Sequence, residues 1–459
     1  MKDFLKYFTE AEEKNKTLGT KISMGDGNEF EPFHVSGDPK SEHYGKNKNL
    51  APIIKAFKEG ANWGWSKDPK TGEDKPVKIT GKKLYMVGGS VRDHLSKKTP
   101  KNVDLATDAS PDEIYKLLTQ NNFEFLKDKN EKSPKNSFWI ERKDTKGRPF
   151  CFGVKVKEDT YKLSLFTKNS KGDDSETLDV KPGTIEDDAS SRDFTMNALA
   201  IPLSNDNGPN KELSDFFGGV YHLKDGKVIP IGDLNSKLKE DPMRAQRFAR
   251  MTSRYGKPSE VPSEYKDTIK KFVTELDKKG LNKDKMRDEF MKGMNYDDTD
   301  PRSYLSLYND LGLMNLLFPG MNVNADFPKE ISELGDKLAP IAWMLRNDDP
   351  QNIEKTLKDY NWDKNDLKKI IFLIKSLGID PNTDHDSLDD LTRGYMSTGI
   401  SSKKTKDWLT KIGKKDDKLA DAFVKHLTSP RIKEDMNEHS SNRKLLEWKR
   451  FMSFLSKKS

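Results

Sequence analysis

Four short blocks of this chain carry residues whose types and spacing could do chemistry. The first is Gly88-Gly89-Ser90-Val91-Arg92-Asp93. Paired glycines let the backbone approach a ligand closely, and a helix starting there presents free N–H groups to phosphate. Arg92, one turn in, could add a bidentate contact. A strand-to-helix turn with a solvent-exposed arginine is an equally good reading. The second block is Lys101-Asn102-Val103-Asp104-Leu105-Ala106. In a strand, residues i and i+2 share a face, so Asn102 and Asp104 would project together. Two carboxylates there could hold magnesium for phosphoryl transfer. This pair has one, and a polar strand end reads as well. The third block, Asp188 to Leu199, has a polar front and an apolar tail, as a strand or helix beside a pocket would. The fourth is Glu240-Asp241-Pro242-Met243-Arg244-Ala245-Gln246-Arg247-Phe248-Ala249-Arg250. Pro242 at the first helical position, capped by Asp241, would start a helix. Arg244, Arg247 and Arg250 then recur every three residues, with Asp241 in register. Met243, Phe248 and Met251 half bury this helix, so its arginines are expected to line something.

The elements that must position these blocks follow from periodicity and punctuation. Lys83–Val87 reads as a strand into the Gly-Gly turn, Val91–Leu95 as a helix start, and Asn102–Ala106 as a second strand. Ser110 is an N-cap with Pro111 in the first turn of a helix whose Ile114, Leu117 and Leu118 share a face. Phe150–Val156 and Tyr161–Phe166 are two more strands. Upstream, 17–48 reads as an extended arm, followed by a short amphipathic helix (Leu50, Ile53, Ile54, Phe57) and a Gly60–Lys78 loop. After Gly218-Gly219 the pattern is helical almost throughout: Tyr265–Leu276, Lys283–Met294, Tyr304–Leu317, Ile341–Leu345, Leu367–Leu377 and Trp408–Leu419. The expected fold is an α/β head, a mixed sheet backed by helices, followed by an all-α neck, body and tail. The expected divisions are a poorly ordered arm at 1–48, a head at 49–215, a neck with the arginine row at 216–300, and a body and tail at 301–459.

At 459 residues the chain is too long for one core. Lys and Arg number 82 against 75 Asp and Glu, a net charge of +7, which permits a nucleic-acid partner without demanding one. Charged residues are 34% of the chain, which predicts a surface-rich molecule. The lone Cys151 excludes an intramolecular disulfide and makes the cytoplasm the simplest location. Its neighbours Phe150, Phe152 and Val154 make it a small core residue rather than a reactive thiol. With no signal peptide and no long apolar run, secretion and membrane insertion are not expected. Seven scattered histidines offer no zinc spacing.

The order of the four blocks, with Asp215-Phe216-Phe217-Gly218-Gly219 between the last two, resembles class II tRNA nucleotidyltransferases (CCA-adding enzymes) and bacterial poly(A) polymerases. The resemblance runs from about Leu84 to Met321. It includes Met286-Arg287-Asp288-Glu289-Phe290, which is similar to the family's neck helix, and Leu311-Gly312-Leu313 with Phe318-Pro319 beyond. It implies a nucleotidyltransferase-type head and template-independent addition of CMP or AMP, from CTP or ATP, to an RNA 3′ end, tRNA foremost, with Mg2+. By the same resemblance Gly88, Gly89 and Arg92 would hold the triphosphate, and Arg192 and Asp193 would contact sugar and phosphates. Asp241 and Arg244 would read the Watson–Crick edge of the base, Arg247 and Arg250 would complete the pocket, and the helices beyond would hold the RNA. Asp104 would be the catalytic and metal-binding carboxylate.

Three positions depart from the family pattern. Asn102 replaces the first residue of its Asp-x-Asp, Lys162 stands where a further carboxylate is common, and Ser191 replaces the first residue of its Arg-Arg-Asp. Losing a unit charge beside a divalent ion costs on the order of several kcal/mol even at an effective dielectric near 20. Two expectations follow: an active transferase, or a catalytically silent nucleotide- and RNA-binding or structural module.

Overall fold

The structure, a computed structural model, describes residues 21–25, 30–35, 47–67, 74–98, 100, 102–127, 135–144, 146–170, 179–276, 281–294, 300–324, 328–380, 383 and 385–428. It forms two compact units, Met1–Asp241 and Pro242–Ser459.

The strands of the first unit are β1 (Lys21–Ser23), β2 (Phe33–Val35), β3 (Ala61–Lys67), β4 (Asp74–Ile79), β5 (Leu84–Val87), β6 (Asp104–Thr107), β7 (Glu124–Phe125), β8 (Asn136–Lys143), β9 (Pro149–Val156), β10 (Asp159–Leu165), β11 (Thr167–Ser170), β12 (Asp179–Pro182), β13 (Ala200–Pro202), β14 (Gly208–Asn210) and β15 (Glu212–Ser214). Nine of them make one mixed sheet in the order β1-β15-β13-β5-β6-β10-β9-β8-β7. The helices are α1 (Ala51–Glu59), α2 (Gly89–Leu95), α3 (Pro111–Thr119), α4 (Ile185–Ser191), α5 (Gly219–Asp225) and α6 (Leu234–Glu240).

Strand alternation gives this sheet two different faces. Leu84, Met86, Leu105, Phe152, Val154 and Leu163 point to one, where they join Ile53, Ile54 and Phe57 of α1 and Ile114, Leu117 and Leu118 of α3 in the main core. Tyr85, Val87, Ala106 and Ala200 point to the other, where they form a small cluster with Phe166 and Ile185. That second face is left with room for polar residues. Helix α3 starts where its sequence says: Ser110 Oγ accepts from the Glu113 N–H, and the Glu113 carboxylate accepts from the Ser110 N–H at 2.8 Å. Cys151 is buried, as expected.

Several expectations are corrected. The described parts of the arm belong to the head: β1 pairs with β15, β2 with β14, and Met24, Phe33 and Val35 are buried in the main core. Three apolar residues scattered through a polar stretch are too few to show a strand period. The rest of 1–48 lies outside the described residues. Gly60–Lys78 holds the antiparallel β3–β4 pair rather than a loop. The second strand starts at Asp104, so Asn102 lies ahead of it and is exposed. The head also runs past residue 215 to Asp241, and His222 ties the following segment to Thr195 of the 192–199 motif.

The second unit begins with α7 (Met243–Tyr255), α8 (Ser263–Glu275), α9 (Lys283–Gly293) and α10 (Pro301–Asp310) and stays helical to Thr428. Pro242, without a side-chain bond, precedes α7. Asp241 is extended and follows α6, and Pro242 after it already has helical angles, φ −55° and ψ −26°. Phe290, Tyr304, Tyr308 and Phe318 centre this core, with ring centroids 5.2–5.9 Å apart. Gly293 admits the Tyr304 ring: a Cβ there would stand 2.2 Å from it. The expected helix Tyr304–Leu317 breaks after Asp310, at Gly312 with φ +70°, and resumes at Met314–Leu317. The expected helix Trp408–Leu419 is a π-helical turn, Trp408–Ile412, followed by Asp417–Thr428. Among the described residues no helix is long and apolar enough to cross a membrane.

Candidate nucleotide site

Strand β5 ends at Val87, and Gly88 turns the chain with φ +70°. Ser90 Oγ donates to the Val87 carbonyl at 3.1 Å and accepts from the Asp104 N–H at 3.0 Å, which pins the start of β6 to the turn. A Cβ at Gly88 would stand 2.5 Å from Nη1 of Arg192. The backbone angle calls for glycine, and the Arg192 guanidinium lies directly against it. Arg192 is held there by Asp188, which accepts from its Nη2 at 2.8 Å and its Nε at 3.2 Å. Sequence reasoning missed Asp188. Its signal was the four-residue spacing to Arg192.

Arg92 and Asp193 turn inward. Arg92 is 6% exposed; it pairs with Asp93 at 2.8 Å and donates to Asn197 Oδ1. Asp193 Oδ1 accepts from the Phe194 N–H and from Asn197 Nδ2, both at 2.8 Å. Asn197, also missed, joins the two motifs. These contacts make Arg92 and Asp193 the frame of the site, with Gly88, Gly89 and Arg192 nearer its surface.

Asp104 belongs to a cross-strand row on the less covered face: Val87 of β5, Asp104 of β6, Lys162 of β10, Gly153 of β9 and Trp139 of β8. Registered partners share a face, with strands about 4.8 Å apart. The Trp139 ring lies across Gly153, where a Cβ would stand 2.2 Å from it. Lys162, in direct register with Asp104, is exposed and forms no ion pair among the described residues. Burial pushes the Asp104 carboxyl above the usual aspartate range, and the charges of Arg192 and Lys162 offset this only in part.

The magnesium implied by the resemblance does not fit this donor set. The row offers one carboxylate, Asp104, and its neighbours are two cations. A divalent ion about 5 Å from an ammonium meets a repulsion of about 7 kcal/mol at an effective dielectric near 20. Asn102 adds no charge. A separate cleft of about 360 Å³ opens at the opposite end of β6 and β10, beside Thr107, Leu165 and Phe166. Four of its charges pair, Lys82 with Glu113 at 2.9 Å and Arg148 with Asp144 at 2.6 Å, and Asp108 accepts from the Lys83 N–H at 2.7 Å.

The Asp-Phe-Phe-Gly-Gly segment supports the site from behind. The Asp215 carboxylate accepts from the N–H groups of Phe217, Gly219 and Val220 at 2.9–3.2 Å and so holds the start of α5. Gly219 lies so close to the Thr195 carbonyl that a Cβ would stand 2.2 Å away. From α5, His222 Nδ1 meets Thr195 Oγ1 at 2.8 Å. Burial pulls the His222 imidazole down to about 4. Its neutral form is therefore favoured on folding. The associated stability is complete above pH ~6.5 and is lost as the pH falls toward 4, with about 2 kcal/mol gone at pH 5. In urea titrations of the first unit at pH 7 and pH 5, the wild type should lose about 2 kcal/mol more than His222→Gln over that interval. Equal losses would show that His222 is not held neutral.

In the second unit α7 carries Arg244, Arg247 and Arg250. Arg250 Nε donates to the Glu289 carboxylate on α9 at 2.6 Å, and Lys292 pairs with the same group at 3.2 Å. Burial raises the Glu289 carboxyl, but Arg250, Lys292 and Arg247 outweigh it and leave it below the usual glutamate range. Arg250 is thus engaged within its own unit. Asp241 ends the first unit and Arg244 lies on the helix that opens the second.

A model of the poly(A) polymerase head domain matches residues 84–229. Poly(A) polymerase I of Haemophilus influenzae is 30% identical over 254 residues, which is 53% of this chain and 49% of that protein. The CC-adding tRNA nucleotidyltransferase of Halalkalibacterium halodurans is 31% identical over 176 residues, 38% of this chain and 36% of that protein. The chain thus spans half or less of the length of these relatives. A CCA-adding enzyme in its apo form II superposes with a TM-score of 0.54 at 18% identity, covering 89% of this chain and 95% of that one. The Bacillus stearothermophilus CCA-adding enzyme in complex with CTP superposes at 0.51 with 16% identity, covering 82% and 94%. At such identities these two superpositions establish the fold, a mixed-sheet head followed by helices. With the sequence relatives beside it, the match identifies residues 84–229 as a poly(A) polymerase head domain, and the chain is similar to class II tRNA nucleotidyltransferases and bacterial poly(A) polymerases.

Proposed function

We propose that this protein holds ATP or CTP on its head and an RNA 3′ end, that of tRNA foremost, through the helices that follow. Its transfer of AMP or CMP to that end is very slow or silent. The carrying observation is the register that sets Lys162 beside Asp104. Nucleotide binding is supported by the Gly88 turn with Arg192 aimed across it by Asp188. In a working site the RNA 3′-OH attacks the α-phosphorus in line and pyrophosphate leaves. Here one carboxylate of raised pKa faces the row, and no second anion stands in register to draw the proton from an attacking hydroxyl. On this reading Lys162 and Arg192 supply the positive charge for the phosphates.

The test is incorporation of labelled ATP and CTP into tRNA lacking its terminal CCA, with magnesium and with manganese. A relative retaining both carboxylates is assayed alongside. Extension on the order of 10³-fold slower than the relative's is expected, the equivalent of about 4 kcal/mol in the barrier. Rapid extension would overturn the silent reading in favour of an active transferase. RNA binding should be mainly to phosphate, with affinity falling steeply between low and physiological salt in a filter-binding titration. If no tRNA-sized RNA bound at low salt, the RNA partner would have to be abandoned.

A further inference from the structure

Magnesium does not fit the donor set of this face, and the misfit has a specific form: at the position in register with the remaining carboxylate there is a cation. Lys162 and Asp104 are partners across the parallel β6–β10 ladder, so both side chains rise from the same face. The ammonium is exposed, and among the described residues it has no ion pair. Arg192, fixed by Asp188, lies against the Gly88 turn, where β5 meets the start of β6. Within the row Val87 is apolar and Gly153 has no side chain, so Lys162 is the only fixed positive charge the row offers. A nucleoside triphosphate needs its phosphate charge neutralised by whatever cation the site supplies, and charge-assisted bonds from ammonium and guanidinium groups do this without a metal.

We infer that Lys162 takes the place of a divalent cation: with Arg192, its ammonium binds the phosphates of a nucleoside triphosphate directly, so that ATP or CTP is held free of metal. This rests on the reading of the head as a nucleotide site and specifies how that site is neutralised. It makes binding insensitive to chelators, whereas a site built on paired carboxylates repels a bare triphosphate.

The experiment is calorimetric titration of the full chain with ATP and with CTP, once in EDTA and once in excess magnesium. Wild-type affinity in EDTA should lie within about threefold of that in magnesium. Lys162→Ala should weaken binding in EDTA by about tenfold or more, while Lys162→Arg retains it. Lys162→Glu should lose binding in EDTA and regain it with magnesium. Because Lys162 is exposed, these variants are expected to keep the wild-type unfolding transition, which is recorded for each. Wild-type binding that vanishes in EDTA, or Lys162→Ala binding unchanged in EDTA, overturns the inference while the nucleotide site stands. No binding of either nucleotide under either condition removes the nucleotide site and the inference with it.

Discussion

The double variant Asn102→Asp plus Lys162→Glu should extend a labelled RNA 3′ end about 100-fold faster than the wild type in single-turnover assays with magnesium or manganese. The two changes are not equal partners. Lys162 is in register with Asp104, so glutamate there converts a cation beside the sole carboxylate into a second anion. Asn102 lies before β6 and is exposed, so aspartate at that position is less firmly placed. Lys162→Glu alone should therefore supply most of the gain and Asn102→Asp alone little. Asp104→Ala in the double-variant background should return the rate to the wild-type level. Robust wild-type turnover that is indifferent to Asp104→Ala would show that the reacting site lies elsewhere. The same Lys162→Glu change is expected to abolish metal-free nucleotide binding, so a gain in one assay accompanies a loss in the other.

Local signals read well where one residue type has one physical use. Ser110-Pro111-Asp112-Glu113 spells a capping box, and the box is present. Gly88 before Arg92 announces a turn that only glycine can make. The family resemblance singles out Lys162, and the sheet sets it in register with Asp104. Signals failed where the structure depends on distant partners. Phe33 and Val35 are buried only because β14 lies 170 or more residues away in the chain. Arg92 is buried against Asn197 and Asp93, and no local signal announces the contact with Asn197, 105 residues away.

The same limit applies to Arg250, and it leads to a stability prediction. Its three-residue spacing from Arg247 suggests a ligand-facing row, but the structure pairs it with Glu289, whose side chain is 6% exposed. Removing one member of such a pair leaves the other charge buried without its partner, typically a loss of 3–5 kcal/mol. Lys292 also contacts Glu289, so the loss on Arg250→Ala should fall near the lower bound, about 3 kcal/mol. Tyr304 and Tyr308, fully buried in the core beside α9, would feel any shift of Glu289 and transmit it to the aromatic cluster. Arg250→Met with Glu289→Leu, which removes both charges and keeps apolar volume, should recover most of the loss, because an unpaired charge rather than a missing contact is responsible. The measurement is denaturant unfolding of the second unit for the single and double variants, together with nucleotide affinity under conditions where every variant is folded. A structural Arg250 lowers stability and leaves affinity within about twofold of wild type. If stability held while affinity dropped about tenfold or more, Arg250 would be a nucleotide ligand and the Glu289 pair incidental.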